Sequence, residues 1–574
     1  MQSEELVPPR PRWPRLLPWP AIVSLYTAVT FVYFWPLPRL WSDHIGPDLG
    51  DPVFVLYVLK WGVHQIRLGL PDLWNANIFY PTQGALAFSD HLLGPAAQLV
   101  VFLMVIPNAI AGYNFLFLTS FIGSALAVCW VVRRGGFSWT AAALAGWMYA
   151  FSSFRLSQTS HLQVLLAQWI PLTLWFWDRL LAERTAKNAA LFLLFYLLNL
   201  SGGLYLAYMI HFAMAAILVS RAFAERRELV SARSLRVLIP VVLIAGTAAA
   251  ALFLPYARVS RAQGLTRQEG EIREFSARLA SYFSPSGLNF YFDPRAEKLL
   301  KNVAEDSAEL FYRPENSLFA GFLPTILFFV GLFALWRRRK EGPPDVWLRG
   351  LALSGLLCFA LSFARFYLPL ARVVPGLSGM RVPARFYAFT SLTLVVFAAY
   401  GTEALLRRAR NDRVRTAIVL VLAIVLAVEL APRKLAWARV PREEELPAVY
   451  RWIRDEESVR ALIELPIGAD SRENSYLYAS TVHWKPIANG YSGYMPVSHQ
   501  ILTGRIRFLP GPAVLNLLRD WRITHIVIHA RRPSRVNAVL RWESRFAKGP
   551  RPQIERVYRS DGVFVYRVLG ARVI

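Results

Sequence analysis

The sequence predicts a polytopic α-helical membrane protein carrying a small α/β domain at its C-terminal end. Three observations carry that prediction. The 574 residues are 55% hydrophobic, with a mean hydropathy of +0.34, where soluble chains run at about 45–50% apolar. Only 18% are charged, and the charges cluster between uncharged stretches of membrane-spanning length. The net charge of +26 is concentrated in arginine blocks flanking those stretches, as the positive-inside rule requires, so no nucleic acid is needed to explain it. A cytosolic enzyme, a disordered chain and a fibrous protein are excluded. Cys129 and Cys358 each fall inside an apolar run, which leaves no disulfide framework and no Cys-rich metal site.

Arg10, Arg12 and Arg15 precede the first apolar run, Trp19–Leu37, which has no small-residue cleavage site and reads as a span entered from the cytoplasm. Residues 1–18 are then a cytoplasmic N-terminus. Further runs lie at Tyr113–Val132, Ser138–Ser152, Gln163–Leu181, Asn188–Leu200, Leu204–Ser220, Arg236–Leu254, Ser317–Trp336, Arg349–Leu368, Phe386–Leu406 and Thr416–Ala431. Counted this way, residues 19–431 hold about eleven spans. The clusters Arg133-Arg134, Arg179/Arg184/Lys187, Arg221/Arg226/Arg227/Arg233, Arg337 to Lys340 and Arg407 to Arg415 then all face the cytoplasm. His91–Ile106 is apolar too, but its roughly 16 residues fall short of the roughly 20 a span needs, and counting it would invert every later loop. It reads as a re-entrant or interfacial helix.

The outer side receives residues 38–112, 153–162, 255–316, 369–385 and the tail, 432–574. The tail holds no span. Strand-like runs at Val459–Leu465, Ile523–His529 and Val563–Val568 alternate with helical stretches at Pro447–Arg454 and Pro512–Trp521, the pattern of an extracytoplasmic α/β domain. The expected location is the inner or plasma membrane, multi-pass, with the C-terminal domain outside.

The first outer loop opens with Asp43, Asp48 and Asp51 in one Gly/Pro-rich turn. Like charges so close raise a carboxyl pKa towards the range of a general base. Asp51-Pro52 equally reads as N-cap and first residue of a helix. In that helix Lys60, His64 and Arg67 follow at i, i+4 and i+7, one polar stripe on an otherwise apolar surface. Such a helix suits the membrane interface, with the stripe either holding a lipid-linked phosphate or simply solvated. Asp90 and His91 precede the re-entrant segment and either bind substrate or cap it. The second outer loop adds Arg155, His161 and Gln163, polar groups at a depth where they are costly unless used or paired. The fourth places Arg381 and Arg385 outside a span, where guanidinium forks suit a phosphate or snorkel. Residues 480–496 mix aromatics, amides and glycine, as a sugar-facing surface loop would. No Walker loop, dinucleotide fingerprint, HExxH or metal-spaced Cys/His set is present, and Gly490–Gly493 lacks the spacing of a serine elbow.

The first span, the long outer loop opening with Asp48 and Asp51, the amphipathic helix, the non-spanning apolar helix, the small-residue span ending in Arg133-Arg134-Gly-Gly and the next span followed by Arg155 together resemble the GT-C superfamily. These are polytopic glycosyltransferases, the protein O-mannosyltransferase and lipid A aminoarabinose transferase types among them. The resemblance covers roughly residues 19–220. It implies a polyprenyl-phosphate-linked sugar as donor and a glycan, lipid or protein acceptor on the outer face. An acid of the first outer loop would act as base, Asp51 before Asp48, and the sugar would be transferred with inversion. Lys60, Arg381 and Arg385 would receive the departing phosphate, with His64, Arg67, Asp90, His91, Arg155, His161 and Gln163 also binding substrate. No cofactor is implied. Some members carry an Asp-Glu pair where this chain has Asp48-x-x-Asp51, so a divalent metal stays open. A flippase for a lipid-linked saccharide, or a non-catalytic protein with an envelope-binding tail, are the competing readings; no internal repeat supports the first.

Overall fold

The protein is described by a computed structural model covering residues 19–289, 314–338, 345–433, 435–468, 470–530, 539–540 and 553–570. Arg10, Arg12 and Arg15, residues 290–313 of the third outer loop, and Arg339 and Lys340 lie outside the described residues. The chain divides into two compact units. The first takes in residues up to Leu40, Asn114–Leu252 and Thr266–Leu435; the second takes in Trp41–Tyr113, Phe253–Leu265 and Ala436 onward. The first outer loop therefore folds with the tail, although more than 300 residues of membrane-type sequence separate them.

The first unit is helical. Across the described chain, Ala109–Arg134, Leu204–Leu229, Ala232–Gln263 and Pro383–Arg407 are long and apolar enough to cross a membrane, as befits a multi-pass membrane protein. Trp19–Tyr33, Ala186–Leu200 and Phe322–Arg337 are shorter apolar helices on further expected spans. Two of the expected runs are interrupted. In Gln163–Leu181, a single turn at Leu162–Leu165 ends before a new helix, Ile170–Glu183, starts on Pro171, whose missing N–H suits a first turn. Arg349–Leu368 bends by 88° between Val346–Leu361 and Ala364–Ala371, where Phe363 is extended at φ −92°, ψ 135°. Helices Phe322–Arg338 and Tyr387–Arg407 touch backbone to backbone. A Cβ on Gly331 would collide with the Phe397 carbonyl, and one on Gly401 with that of Leu327, so the crossing requires glycine on both sides. Part of the arginine clusters is consumed internally: buried Asp178 accepts from Arg221 at 2.7 and 2.8 Å and from Arg179 at 2.9 Å.

The second unit is mixed. His44–Ile45 (β1) pairs antiparallel with Ala438–Arg439 (β2), joining loop to tail. Leu462–Leu465 (β3), His525–His529 (β4), Ile554–Ser560 (β5) and Val563–Val568 (β6) form one sheet in the order β3-β4-β6-β5, with β3 and β4 parallel and the other pairs antiparallel. The parallel pair is linked by a crossover containing helices Asp470–Ser480, Val497–Arg505 and Pro512–Asp520. Ile463, Leu502, Leu515, Leu518, Ile526 and Phe564 fill the core against this sheet.

Two expectations change here. The helix Asp51–Leu68 is not an interfacial helix with an open apolar face. Pro52 through Leu59 are all buried, covered by Leu93–Leu103 and by Asp470–Ser480, because the tail supplies the apolar partner a membrane surface would otherwise supply. Residues 480–496 form a surface loop only in part. Ile487 N–H donates to Asn77, while Phe79 and Tyr80 N–H donate to Asn489 and Ile487, so residues 487–489 lie buried along the first loop, whereas residues 491–495 are half-buried or exposed. Helix Leu93–Leu103, at 11 residues or about 16 Å, is too short to cross a bilayer, as expected for a non-spanning segment.

Candidate functional site

In the second unit, Asp51 stands at the start of its helix but does not cap it. Gly50 is the capping residue and makes no side-chain cap bond. Asp51 Oδ1 instead accepts the Tyr491 hydroxyl at 2.8 Å, and the Tyr491 ring packs edge-on against Phe54 at 5.3 Å. Pro52 follows, as its fixed φ favours in a first turn. Asp48 Oδ1 accepts the Gly50 N–H at 2.7 Å, and the Gly50 carbonyl accepts from buried Asn474 at 2.9 Å, which ties the turn to the tail. Asp43 pairs with His44 at 2.7 Å and faces Arg442 at 3.9 Å. Each of the three aspartates thus has a hydrogen-bond or ion-pair partner of its own. Among the described residues no group of three His, Cys, Asp or Glu side chains is placed to hold a metal ion.

The basic stripe is real but points elsewhere. Lys60 lies nine positions after Asp51, which places it on the opposite helix face and roughly 14 Å along the axis. Its ammonium pairs with Glu443 at 3.3 Å and sits 5.1 Å over the Tyr478 ring. Burial lowers its pKa, with Glu443 and Glu444 pulling the other way. His64 stacks on Trp484 at 4.2 Å and 13°, and burial, then Arg67, lowers its pKa. Arg67 is exposed. His91 Nδ1 accepts the Leu93 N–H at 3.1 Å, which caps the short apolar helix, and its ring meets Trp74 and Tyr256; Asp90 is half-buried beside it.

The first unit gathers the remaining residues in two places. Arg155 is buried, and its guanidinium donates to the carbonyls of Ala150, Ser120 and Leu165 at 3.0–3.1 Å while lying over Phe121 and Tyr149. Ala150 and Leu165 end helices, so the arginine satisfies carbonyls that helix ends leave open. Burial pulls it down to about 10, still charged at neutral pH. Its geometry is that of a staple, not a substrate clamp. Arg385 and His161 converge on Glu315: Arg385 donates to Glu315 at 3.0 Å, and His161 bonds Gln158 at 2.9 Å. Burial alone would raise the Glu315 carboxyl, but Arg385 and His161 together hold it below the usual range. Gln163 is half-buried on the turn that follows. Arg381 lies 3.6 Å from Glu271 and over Phe275, its N–H donating to Tyr205, whose ring lies under Arg385. Arg385 is almost fully buried; Arg381 is a third exposed.

The three cations expected to receive the departing phosphate therefore have carboxylate partners already: Glu443 for Lys60, Glu271 for Arg381, Glu315 for Arg385. Those acids, and Tyr491, were missed from sequence. Tyr491 sits within the Gly-Tyr-Ser-Gly stretch set aside for its wrong spacing, and Glu315 within Glu-Asn-Ser just ahead of a span, where a buried acid is itself a signal.

A family model described as a domain of unknown function (DUF6311) matches residues 25–431. No curated protein matches the chain in sequence. Among solved structures, arabinofuranosyltransferase AftD from Mycobacteria is similar with a TM-score of 0.54 at 14% identity, covering 96% of this chain and 39% of its own. The chain thus spans well under half the length of that protein. The oligosaccharyltransferase of Archaeoglobus fulgidus matches at TM-score 0.48 and 13% identity over 90% of this chain and 70% of its own. ArnT from Cupriavidus metallidurans matches at 0.42 and 10% over 96% and 97%. The fold is the GT-C fold.

Proposed function

We propose that this chain, which belongs to the DUF6311 family, is a membrane glycosyltransferase that moves a sugar from a polyprenyl-phosphate donor to an acceptor hydroxyl on the outer face. The observation that carries this reading is Asp51, held at the start of a buried helix by the Tyr491 hydroxyl at 2.8 Å. Support comes also from the GT-C fold, whose solved neighbours are named as an arabinofuranosyltransferase, an oligosaccharyltransferase and ArnT.

In this reading the acceptor oxygen attacks the anomeric carbon opposite the lipid phosphate. Its proton passes to Asp51, the bond from the anomeric carbon to the phosphate oxygen breaks, and the electron pair leaves with the phosphate, so the anomeric centre inverts. A positioned base of this kind contributes about 10²–10⁴ in rate. Asp48, whose carboxylate is folded back on the Gly50 N–H, is the second choice for base. The leaving phosphate is already anionic and needs cations more than a proton. Lys60, Arg381 and Arg385 are the cations the sequence offers for that role. The expected topology has about eleven spans, a cytoplasmic N-terminus and an outward tail.

The test is transfer from radiolabelled polyprenyl-phosphate sugars in membranes carrying the protein. Wild type should transfer label, and Asp51→Asn should cut the rate by at least a hundredfold while Asp48→Asn retains most of it. Undiminished transfer by both variants refutes the assigned base.

A further inference from the structure

A cavity of about 500 Å³ opens in the second unit, at the end of β3 and beside helices Asp470–Ser480 and Val497–Arg505. That volume is within the range of small-ligand sites. Its polar lining is Asp470, Glu473, Tyr491, His499, Thr503 and Arg507, and aliphatic side chains complete the wall. No step assigned to Asp51 uses it.

The lining specifies the chemistry of an occupant. The lining holds one exposed carboxylate, Asp470, and one guanidinium, Arg507, and burial lowers the His499 imidazole pKa, so neither a phosphate nor a cation finds an excess of opposite charge. Glu473 is buried. Its oxygens accept the Gly468 N–H at 3.0 Å and the Asn489 amide at 3.1 Å. Even so, burial, with Glu464 adding to it, lifts the carboxyl to about 7, so near neutrality it both donates and accepts. Hydroxyl groups do the same. Aliphatic wall and Tyr491 ring suit the C–H faces of a compact polyhydroxylated ring. Tyr491 also links the cavity to the proposed base, since its ring forms part of the wall while its hydroxyl donates to Asp51.

We propose that this cavity seats a neutral sugar unit of a glycan acceptor, with Glu473 holding its hydroxyls and Tyr491 joining it to Asp51. The proposal rests on the transferase reading and names the acceptor class for it.

The experiment titrates the full chain, purified in nanodiscs, with neutral mannose-, glucose-, galactose- and arabinose-based di- to tetrasaccharides and with uncharged peptides of similar size, read by saturation-transfer NMR. Wild type is compared with Glu473→Gln, which keeps the shape, and with Met495→Trp, which fills the mouth from an exposed position. At least one saccharide should bind, about tenfold more weakly to each variant. In the transfer assay both variants should raise the acceptor KM by a similar factor and leave the donor KM unchanged. No binding by any saccharide, binding equal in all three proteins, or cavity-dependent binding of peptides alone overturns the proposal. Cavity-dependent saccharide binding by a protein that transfers nothing from any donor upholds the site and refutes the transferase reading, so the two failures are distinct.

Discussion

Replacing Glu473 by glutamine tests the electrostatics of the second unit most directly. The side chain is 4% exposed, and its oxygens accept from Gly468 and Asn489. Burial, then repulsion from Glu464, lifts the carboxyl from 4.5 to about 7; Asp470, His499 and Arg507 share its cavity. Between those two values the folded protein keeps a proton that the unfolded chain has released. Stability therefore falls as pH rises through that window and is lowest above it. Moving a carboxyl that far is worth roughly 3 kcal/mol. Glutamine has no such charge, but its amide turns a donor towards one of the two N–H groups, which costs about 1 kcal/mol. At pH 5 wild type has already lost about 0.8 kcal/mol to this titration, so the variant should be about as stable as wild type there and about 2 kcal/mol more stable at pH 8. Burial pulls His483 down to about 3 and His525 to about 4, and these titrate with the opposite sign, losing stability as pH falls below the usual histidine value. The quantity to read is thus the difference between variant and wild type. Thermal unfolding of the detergent-purified chain at pH 5, 6, 7 and 8 should show that difference swing by about 5–10 °C. A difference that keeps one value across the four pH points refutes the buried-carboxyl account.

Two further outcomes follow from packing. Gly490→Ala drives a methyl into the ring of buried Phe79, so it should destabilise the second unit by about 1–3 kcal/mol, seen as faster hydrogen exchange of residues 77–80 and 487–490 with the helices of the first unit unaffected. Arg385→Leu leaves Glu315 buried without its partner and should cost about 3–5 kcal/mol in thermal unfolding, while the double change with Glu315→Leu should recover most of that loss.

Much of the first unit was legible because apolar length is a local property. The runs at Tyr113–Val132, Leu204–Ser220, Arg236–Leu254 and Phe386–Leu406 each fall on a long apolar helix. Pro171 and the Ser362-Phe363 junction lay in plain view within two further runs, and there length alone misled, since a helix restart and a bend leave composition unchanged. Asp51-Pro52 marked a helix start to the residue, yet its reading as a cap was displaced by Tyr491, 440 positions away.

What sequence alone determined is the set of properties a short window carries: which stretches are apolar, where arginines gather, which turn is acidic and which helix starts on a proline. Tertiary structure decided who pairs with whom. It brought the first loop and the tail into one unit, gave Lys60, Arg381 and Arg385 carboxylate partners, and buried Glu473 beside a cavity. The physical reason is that burial and hydrogen-bond partnership depend on side chains distant in the chain, and a polar group's cost and charge state are set by those neighbours and not by its position in a pattern.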